Sequence, residues 1–109
     1  MAEDWRDSNI DDLCDALLEL RTRDEAAAFL RDICSLHELE SLSHRWQAAR
    51  LVHAGTPYAR VASQLHASTA TVTRVAHWLN HGEGGYREAL DRLADARKGG
   101  IPYPTGSER

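Results

Sequence analysis

Acidic residues are missing from the middle of this 109-residue chain, since no aspartate or glutamate lies between Ser41 and Gly82. Apolar runs are short, and none approaches the ~20 residues that a membrane-spanning helix needs. The N-terminus, MAEDWRDSN, lacks the basic and apolar regions of a signal peptide. The two cysteines, Cys14 and Cys34, have no CxxC spacing. We therefore expect reduced thiols in a cytoplasm and no disulfide framework.

Charge is distributed unevenly along the chain. Residues 1–40 hold 12 acids and 4 arginines, residues 41–80 hold 4 arginines and no acid, and residues 81–109 hold 5 charges of each sign. The net charge of −4 disfavours nucleic-acid binding when taken whole. Screening limits each charge to roughly 10 Å, however, so the local excess counts for more. The acid-free window permits contact with phosphates; the alternative interpretation is a buried middle segment with few charges.

Helix start signals recur and no strand alternation is sustained, which predicts an all-α fold of about six helices. Capping boxes, in which a hydroxyl and an acid three residues later satisfy orphan N–H groups, occur at 8–11, 22–25 and 35–38. They predict helices over 10–21, 23–33 and 36–54.

Three more helices are predicted in the second half. Gly55 should end the third helix, and Thr56 should cap a fourth that has Pro57 in its first position and ends near Leu65. Ser68 should cap the fifth, which ends near position 79, and a glycine-rich linker precedes the last, over 86–97. These patterns predict one helical domain over 1–97 and a mobile Gly- and Pro-containing tail over 98–109.

Residues 57–80 have the pattern of a helix-turn-helix unit. Its two helices must cross at a fixed angle, so the inner positions should be apolar or small. Those positions hold Val61, Ala62, Leu65, Val72 and Val75. His66 occupies the turn, where many such units have glycine. Histidine tolerates a positive φ better than a β-branched residue does.

The outer face of the second helix predicts binding in a DNA major groove. The residues expected to contact DNA are Arg60, Ser68, Thr69, Ala70, Thr71, Thr73, Arg74 and His77. Threonine methyl groups suit thymine methyl groups, and hydroxyls can donate or accept at base edges. Arg60, Arg74 and His77 are expected at phosphates, which position the protein without specifying sequence. A merely solvated helix face is the alternative, although threonines are poor helix formers.

Three segments resemble the Trp repressor superfamily, most closely its YerC/YecD branch. They are LHELESLSHRWQAARLVHAGTPYARVA, LHASTATVTRV and NHGEGGYREAL, and the resemblance runs from about Asp24 to Leu93. It implies an intertwined homodimer that binds operator DNA and represses transcription. The residues give an independent reason for pairing, because the first two helices are short and acidic and rarely complete a core alone.

The resemblance also bears on a possible corepressor. Trp repressor holds tryptophan with two arginines, and both have matches here, Arg45 and Arg74. Val75 stands where the repressor has glycine, and Trp78 stands where it has a ligand-contacting serine. Both changes add bulk, so we expect side chains to fill the pocket and no cofactor to be needed. The alternative is a repressor gated by an amino-acid-like corepressor on Arg45 and Arg74.

No enzyme, metal site or membrane partner is predicted. His77 and His81 lie four apart, but two ligands alone do not make a metal site. The sequence predicts a cytoplasmic protein, nucleoid-associated when bound, that regulates transcription on double-stranded DNA as a homodimer. The alternative from another class is a helical protein–protein adaptor whose acidic N-terminal half binds a basic partner.

Overall fold

A computed structural model describes residues 5–98 of the chain. Over this range it has six helices and no strand, which confirms the all-α prediction. The helices are α1 (Ser8–Leu18), α2 (Arg23–Ile33), α3 (Leu36–His53), α4 (Tyr58–Leu65), α5 (Thr69–His81) and α6 (Gly85–Lys98). Lys98 ends α6, and the rest of the predicted tail, 99–109, lies outside the described residues.

The described helices divide into two compact units. The first ends at Ile33 and contains α1 and α2; the second begins at Cys34 and contains α3 to α6. The interpretation of 1–97 as one domain stays a prediction. The second unit holds the helix-turn-helix and therefore the candidate site.

Helix α1 begins two residues before its predicted start because a different residue caps it. Asp7, in extended conformation, accepts a hydrogen bond from the Ile10 N–H at 2.9 Å, so the predicted box that starts at Ser8 is wrong. The cap of α2 is the predicted one, since Thr22 Oγ1 accepts from the Glu25 N–H at 3.1 Å. The Glu25 carboxylate reaches one residue further than expected, to the Arg21 N–H at 2.9 Å.

The first unit exposes several large apolar side chains. Neither α1 nor α2 contributes a buried residue. Leu13, Leu17 and Leu18 of α1 and Ile33 of α2 are exposed instead. Exposed leucines at this density are unusual for a helix pair that ends its packing within one chain.

Helix α3 opens with the complete capping box that was predicted. The Ser35 hydroxyl accepts from the Glu38 N–H at 3.1 Å, and the Glu38 carboxylate accepts from the Ser35 N–H at 2.8 Å. The backbone bond to Ser35, followed by the side-chain bond, lowers the pKa of Glu38 below its usual range. The ionised form is therefore favoured in the folded chain.

We expect acid to remove the contribution of Glu38 to stability. Because folding lowers its pKa, the contribution is complete above the ordinary glutamate pKa of ~4.3 and is lost as pH falls through the lowered value. Urea unfolding of wild type and Glu38→Gln, at one protein concentration, should differ at pH 7 and converge at low pH. A difference that stays constant with pH would contradict the role of the charge.

The junction between α3 and α4 differs from the prediction at the N-cap of α4. Gly55 adopts φ +92° and ends α3 as predicted, with its N–H bonded to the Val52 carbonyl at 3.0 Å. The Thr56 N–H donates to the Leu51 carbonyl, also at 3.0 Å. Thr56 thus completes the end of α3, and Pro57 takes the cap position of α4 with no side-chain cap bond. The prediction that Thr56 caps α4 is wrong.

The core of the second unit forms where α3, α4 and α5 meet. Its buried members are Ala48, Ala49, Val61, Ala62, Val72 and Val75. Alanines dominate the α3 contribution, so the helix-turn-helix can approach α3 closely. Trp46 stacks on Tyr86 with ring centroids 6.3 Å apart, which attaches α6 to α3.

Gly82 is required by a close approach at the end of α5. A Cβ atom at this position would collide with the Trp78 carbonyl oxygen, which accepts the Gly82 N–H at 2.9 Å. We expect Gly82→Ala to lower the free energy of unfolding by ~1–3 kcal/mol, as overpacking does. Thermal denaturation provides the measurement.

Gly85→Ala is the matched control for this prediction. A Cβ atom at Gly85 would have no neighbour within 4 Å. The substitution should therefore leave stability unchanged or raise it by up to ~1 kcal/mol through a restricted unfolded chain. Equal losses for both variants would show that glycine is needed throughout the stretch between α5 and α6, and not only at the contact with Trp78.

Candidate nucleic-acid interface

Helices α4 and α5 form the predicted helix-turn-helix. Val61, Ala62, Val72 and Val75 are buried and Leu65 is half-buried, which confirms the predicted inner face. His66 ends α4 at φ +54°, in the left-handed position where glycine is common. The Ala67 N–H then bonds to the Ala62 carbonyl at 2.9 Å. Histidine thus serves in the turn, as its tolerance of positive φ suggested.

Ser68 and Thr71 have structural duties at the start of α5. The Ser68 hydroxyl accepts from the Thr71 N–H at 3.1 Å, which confirms Ser68 as the predicted cap. The two hydroxyls also lie within hydrogen-bond distance, at 3.1 Å. Thr71 is half-buried. Of the candidate DNA-contact residues, these two have part of their hydrogen-bonding capacity already used within the chain.

The remaining candidate residues of α5 face solvent on one side of the unit. Those that are exposed are Thr69, Ala70, Thr73, Arg74 and His77. Arg60, on α4, is exposed as well. The exposed set combines small side chains near the start of α5 with a cation and an imidazole further along. Small side chains at the tip of the helix allow its backbone to approach base edges closely.

Two acidic residues, one from each end of the acid-free window, line cavities that Arg74 also lines. Glu40 and Glu83 are the acids that immediately flank this window in the sequence. Glu83 lines one surface cavity beside Arg74, and Glu40 lines another. Within residues 5–97, however, no carboxylate forms an ion pair with Arg45, Arg60 or Arg74. These three guanidinium groups keep their charge available to an anion.

The structure brings the two predicted ligand arginines to one cavity. Arg45 and Arg74 both line a surface cavity of about 610 Å³, together with Trp78 and Tyr86. Val75 is buried in the core, and Trp78 is 59 % exposed. Within a single chain neither side chain fills the space. The expected self-filled pocket is therefore not seen in the single chain.

One polar pair was not singled out from the sequence. The Arg87 guanidinium donates to Asn80 Oδ1 at 2.5 Å, and Asn80 Nδ2 donates to the Ala76 carbonyl at 2.9 Å. The pair joins α5 to α6 across the glycine linker. Its partners are seven positions apart, and no helical periodicity continues through Gly84, so no sequence signal marks it.

His77 and His81, at the end of α5, lie close together but have no third metal ligand beside them among the described residues. The rings of His77 and His81 have centroids 5.2 Å apart, and His77 meets Trp78 edge to face. Among residues 5–98 no three His, Cys, Asp or Glu side chains are grouped to hold a metal ion. In the same range no helix combines the length and apolar character needed to cross a bilayer.

Comparison with known proteins gives one consistent family. Residues 8–94 match the family described as Trp repressor protein. The uncharacterized protein YerC of Bacillus subtilis (strain 168) is 36 % identical over 90 residues, which cover 83 % of this chain and 86 % of YerC. The crystal structure of a TrpR-like protein from Eubacterium eligens ATCC 27750 superposes with a TM-score of 0.77 at 36 % identity.

That crystal structure covers 82 % of this chain and 92 % of its own. The match therefore includes nearly the whole described range and is not confined to the helix-turn-helix, a short unit that also occurs in unrelated folds. The resemblance stated from the sequence is confirmed. The chain belongs to the Trp repressor family of DNA-binding transcription regulators.

Proposed function

We propose that this protein is a sequence-specific repressor that reads the DNA major groove as a homodimer. The observation that carries the proposal is the solvent-facing side of α5, where Thr69, Thr73 and Arg74 are exposed and Arg74 has no acidic partner among residues 5–97. This side is held by a buried core and a capped helix start. No catalytic step is part of the proposal.

Recognition divides between the two ends of α5. Thr69, Ala70 and Thr73 reach base edges through methyl and hydroxyl contacts. Arg74, His77 and, from α4, Arg60 contact phosphates. Ser68 and Thr71 act mainly by holding the start of the helix, whose N–H groups point toward the groove.

A second copy completes the first unit. Helices α1 and α2 have no buried residue, and the leucines of α1 are exposed together with Ile33 of α2. Intertwining two chains would bury these faces. It would also place two α5 helices about one DNA turn apart, the docking known for helix-turn-helix dimers, Trp repressor among them. Such a protein would work in the cytoplasm, on the nucleoid.

Selection of bound sites from random duplexes tests the proposal. We expect an enriched palindromic motif with half-sites ~10 bp apart, centre to centre. Binding should weaken steeply with added salt, because neutralised phosphates release counterions. No enriched motif, together with salt-insensitive binding of a basic protein, would instead support the adaptor role.

The cavity beside Arg74 supports a second candidate, a repressor gated by an amino-acid-like anion. Arg45 and Arg74 line one space that could admit a carboxylate, and Trp78 and Tyr86 supply aromatic walls. Thermal shift across the free amino acids separates the two candidates. We expect a flat panel if the partner protomer fills the cavity. A shift that is lost in Arg45→Ala would establish the gated form.

A further inference from the structure

A third surface cavity, with polar walls, lies at the opposite end of α5 from Ser68. It has a volume of about 530 Å³ and is formed by the ends of α3 and α5 and the starts of α4 and α6. Its polar walls are His53, Thr56, Tyr58, Asn80 and Arg87. None of the described residues that line it is acidic, in contrast to the two cavities beside Arg74.

Arg87 is held at this cavity by a neutral partner. Its bond to Asn80 occupies one of the five guanidinium donors and leaves four. Asn80 is itself fixed by its bond to the Ala76 carbonyl. In the described range no carboxylate forms an ion pair with Arg87, whereas Arg92, five residues later on α6, is paired with Glu88 at 2.8 Å. An arginine oriented by an amide keeps its full charge for an anion.

The position of the cavity matches the DNA backbone better than the bases. Helix α5 has 13 residues, so Asn80 lies about 18 Å along the axis from Ser68 at ~1.5 Å per residue. The major groove is only ~12 Å wide. Because this span exceeds the groove, side chains at the far end of α5 cannot reach base edges while its start touches them, and the DNA groups nearest to them are phosphates.

We propose that this cavity seats a backbone phosphate of the bound duplex, with Arg87 as the contacting cation and Asn80 as its positioning residue. The hydroxyls of Thr56 and Tyr58 supply further donors. The inference rests on the proposed function and extends it. A contact of this kind is independent of base sequence, so it strengthens binding to all duplexes and fixes how the protein sits on the helix.

Salt titration of Arg87→Ala tests the inference, with binding to a selected site and to an unrelated duplex measured in parallel. We expect both affinities to fall by the same factor, about tenfold, and the slope of log K against log salt to shrink by ~0.9 for each protomer. Arg87→Lys should keep the slope, because it keeps the charge. Asn80→Ala should lower affinity several-fold with the slope retained, a result that general destabilisation would not give.

Arg92→Ala is the matched control, since it removes the same charge from the same helix at a residue already paired with Glu88. Suppose that Arg87→Ala and Arg92→Ala have the same affinity and salt slope while Arg74→Ala impairs binding. The assignment of a phosphate to this cavity is then wrong, and the proposed function stands. If the wild type binds no duplex, both are wrong. Should Arg87→Ala unfold, Arg87→Gln against Arg87→Lys gives the same comparison of slopes.

A free anion is the remaining occupant to separate. If the cavity binds a free anion and not DNA, inorganic phosphate should raise the melting temperature of wild type but not of Arg87→Ala. Duplex binding and its salt slope should then be the same for both proteins. That combination overturns the assignment to DNA. A slope that falls with Arg87→Ala supports the assignment, whether or not phosphate ions also stabilise the protein.

Discussion

Arg74→Ala is expected to weaken duplex binding by ~10–100-fold for each protomer. A hydrogen bond to a charged group contributes ~1.5–3 kcal/mol, and each 1.4 kcal/mol is a factor of ten in affinity. Arg74 is exposed on α5 and has no acidic partner among residues 5–97, so its charge is free to meet a phosphate. The salt slope should shrink by ~0.9 for each phosphate that the protein no longer neutralises. Fluorescence anisotropy with a labelled site measures both quantities.

Two comparisons make the Arg74 result specific. Arg92→Ala removes one positive charge elsewhere in the same unit, and it should change affinity little because Glu88 already neutralises Arg92. Arg74→Lys should retain the salt slope and weaken binding only in part, since lysine cannot make a bidentate contact. If Arg74→Ala left both affinity and slope unchanged, α5 would not be the helix that enters DNA.

Leu17→Asp should separate the protomers. Leu17 is 43 % exposed in the single chain, so a charge there is tolerated by an isolated protomer. At the face where we propose that two copies meet, an uncompensated buried charge costs ~3–5 kcal/mol. That cost corresponds to at least ~100-fold in the dimer dissociation constant. Sedimentation velocity should show monomers at concentrations at which wild type is dimeric.

DNA binding should fail together with dimerisation. A monomer reads one half-site and not the second, so Leu17→Asp should bind a palindrome no better than a single half-site. Ser8→Asp is the control, because it adds the same charge to α1, about half a helical turn away from the Leu17 side. If Leu17→Asp stays dimeric with unchanged circular dichroism, the exposed face of α1 has another partner.

Local chemistry decided which parts of the fold could be predicted. The helix-turn-helix was predictable because its signals are short-range: Ser68 bonds to a backbone group three residues away, and the inner positions repeat at helical spacing. The prediction for Thr56 was wrong because two local signals competed. Thr56 can cap the next helix or close the previous one, and the Gly55 turn commits its N–H to Leu51.

The candidate site could be predicted only in part, for a related reason. The residues on the outer face of α5 follow from periodicity, and their exposure agrees with it, apart from half-buried Thr71. The cavities do not follow from periodicity, because each collects residues from three or four helices. The proximity of Glu40 and Glu83 to Arg74 could not be predicted either, because these acids are distant from Arg74 in the sequence.

The amino-acid sequence by itself determined that this chain is helical, that α4 and α5 form a helix-turn-helix, and that it resembles the Trp repressor family. Hydrogen bonds and apolar contacts within a few residues carry that information. Only the tertiary structure decided that Arg45 and Arg74 share a cavity and that Asn80 orients Arg87. These arrangements depend on the angles at which packed helices cross, and those angles are set by contacts between residues distant in the chain.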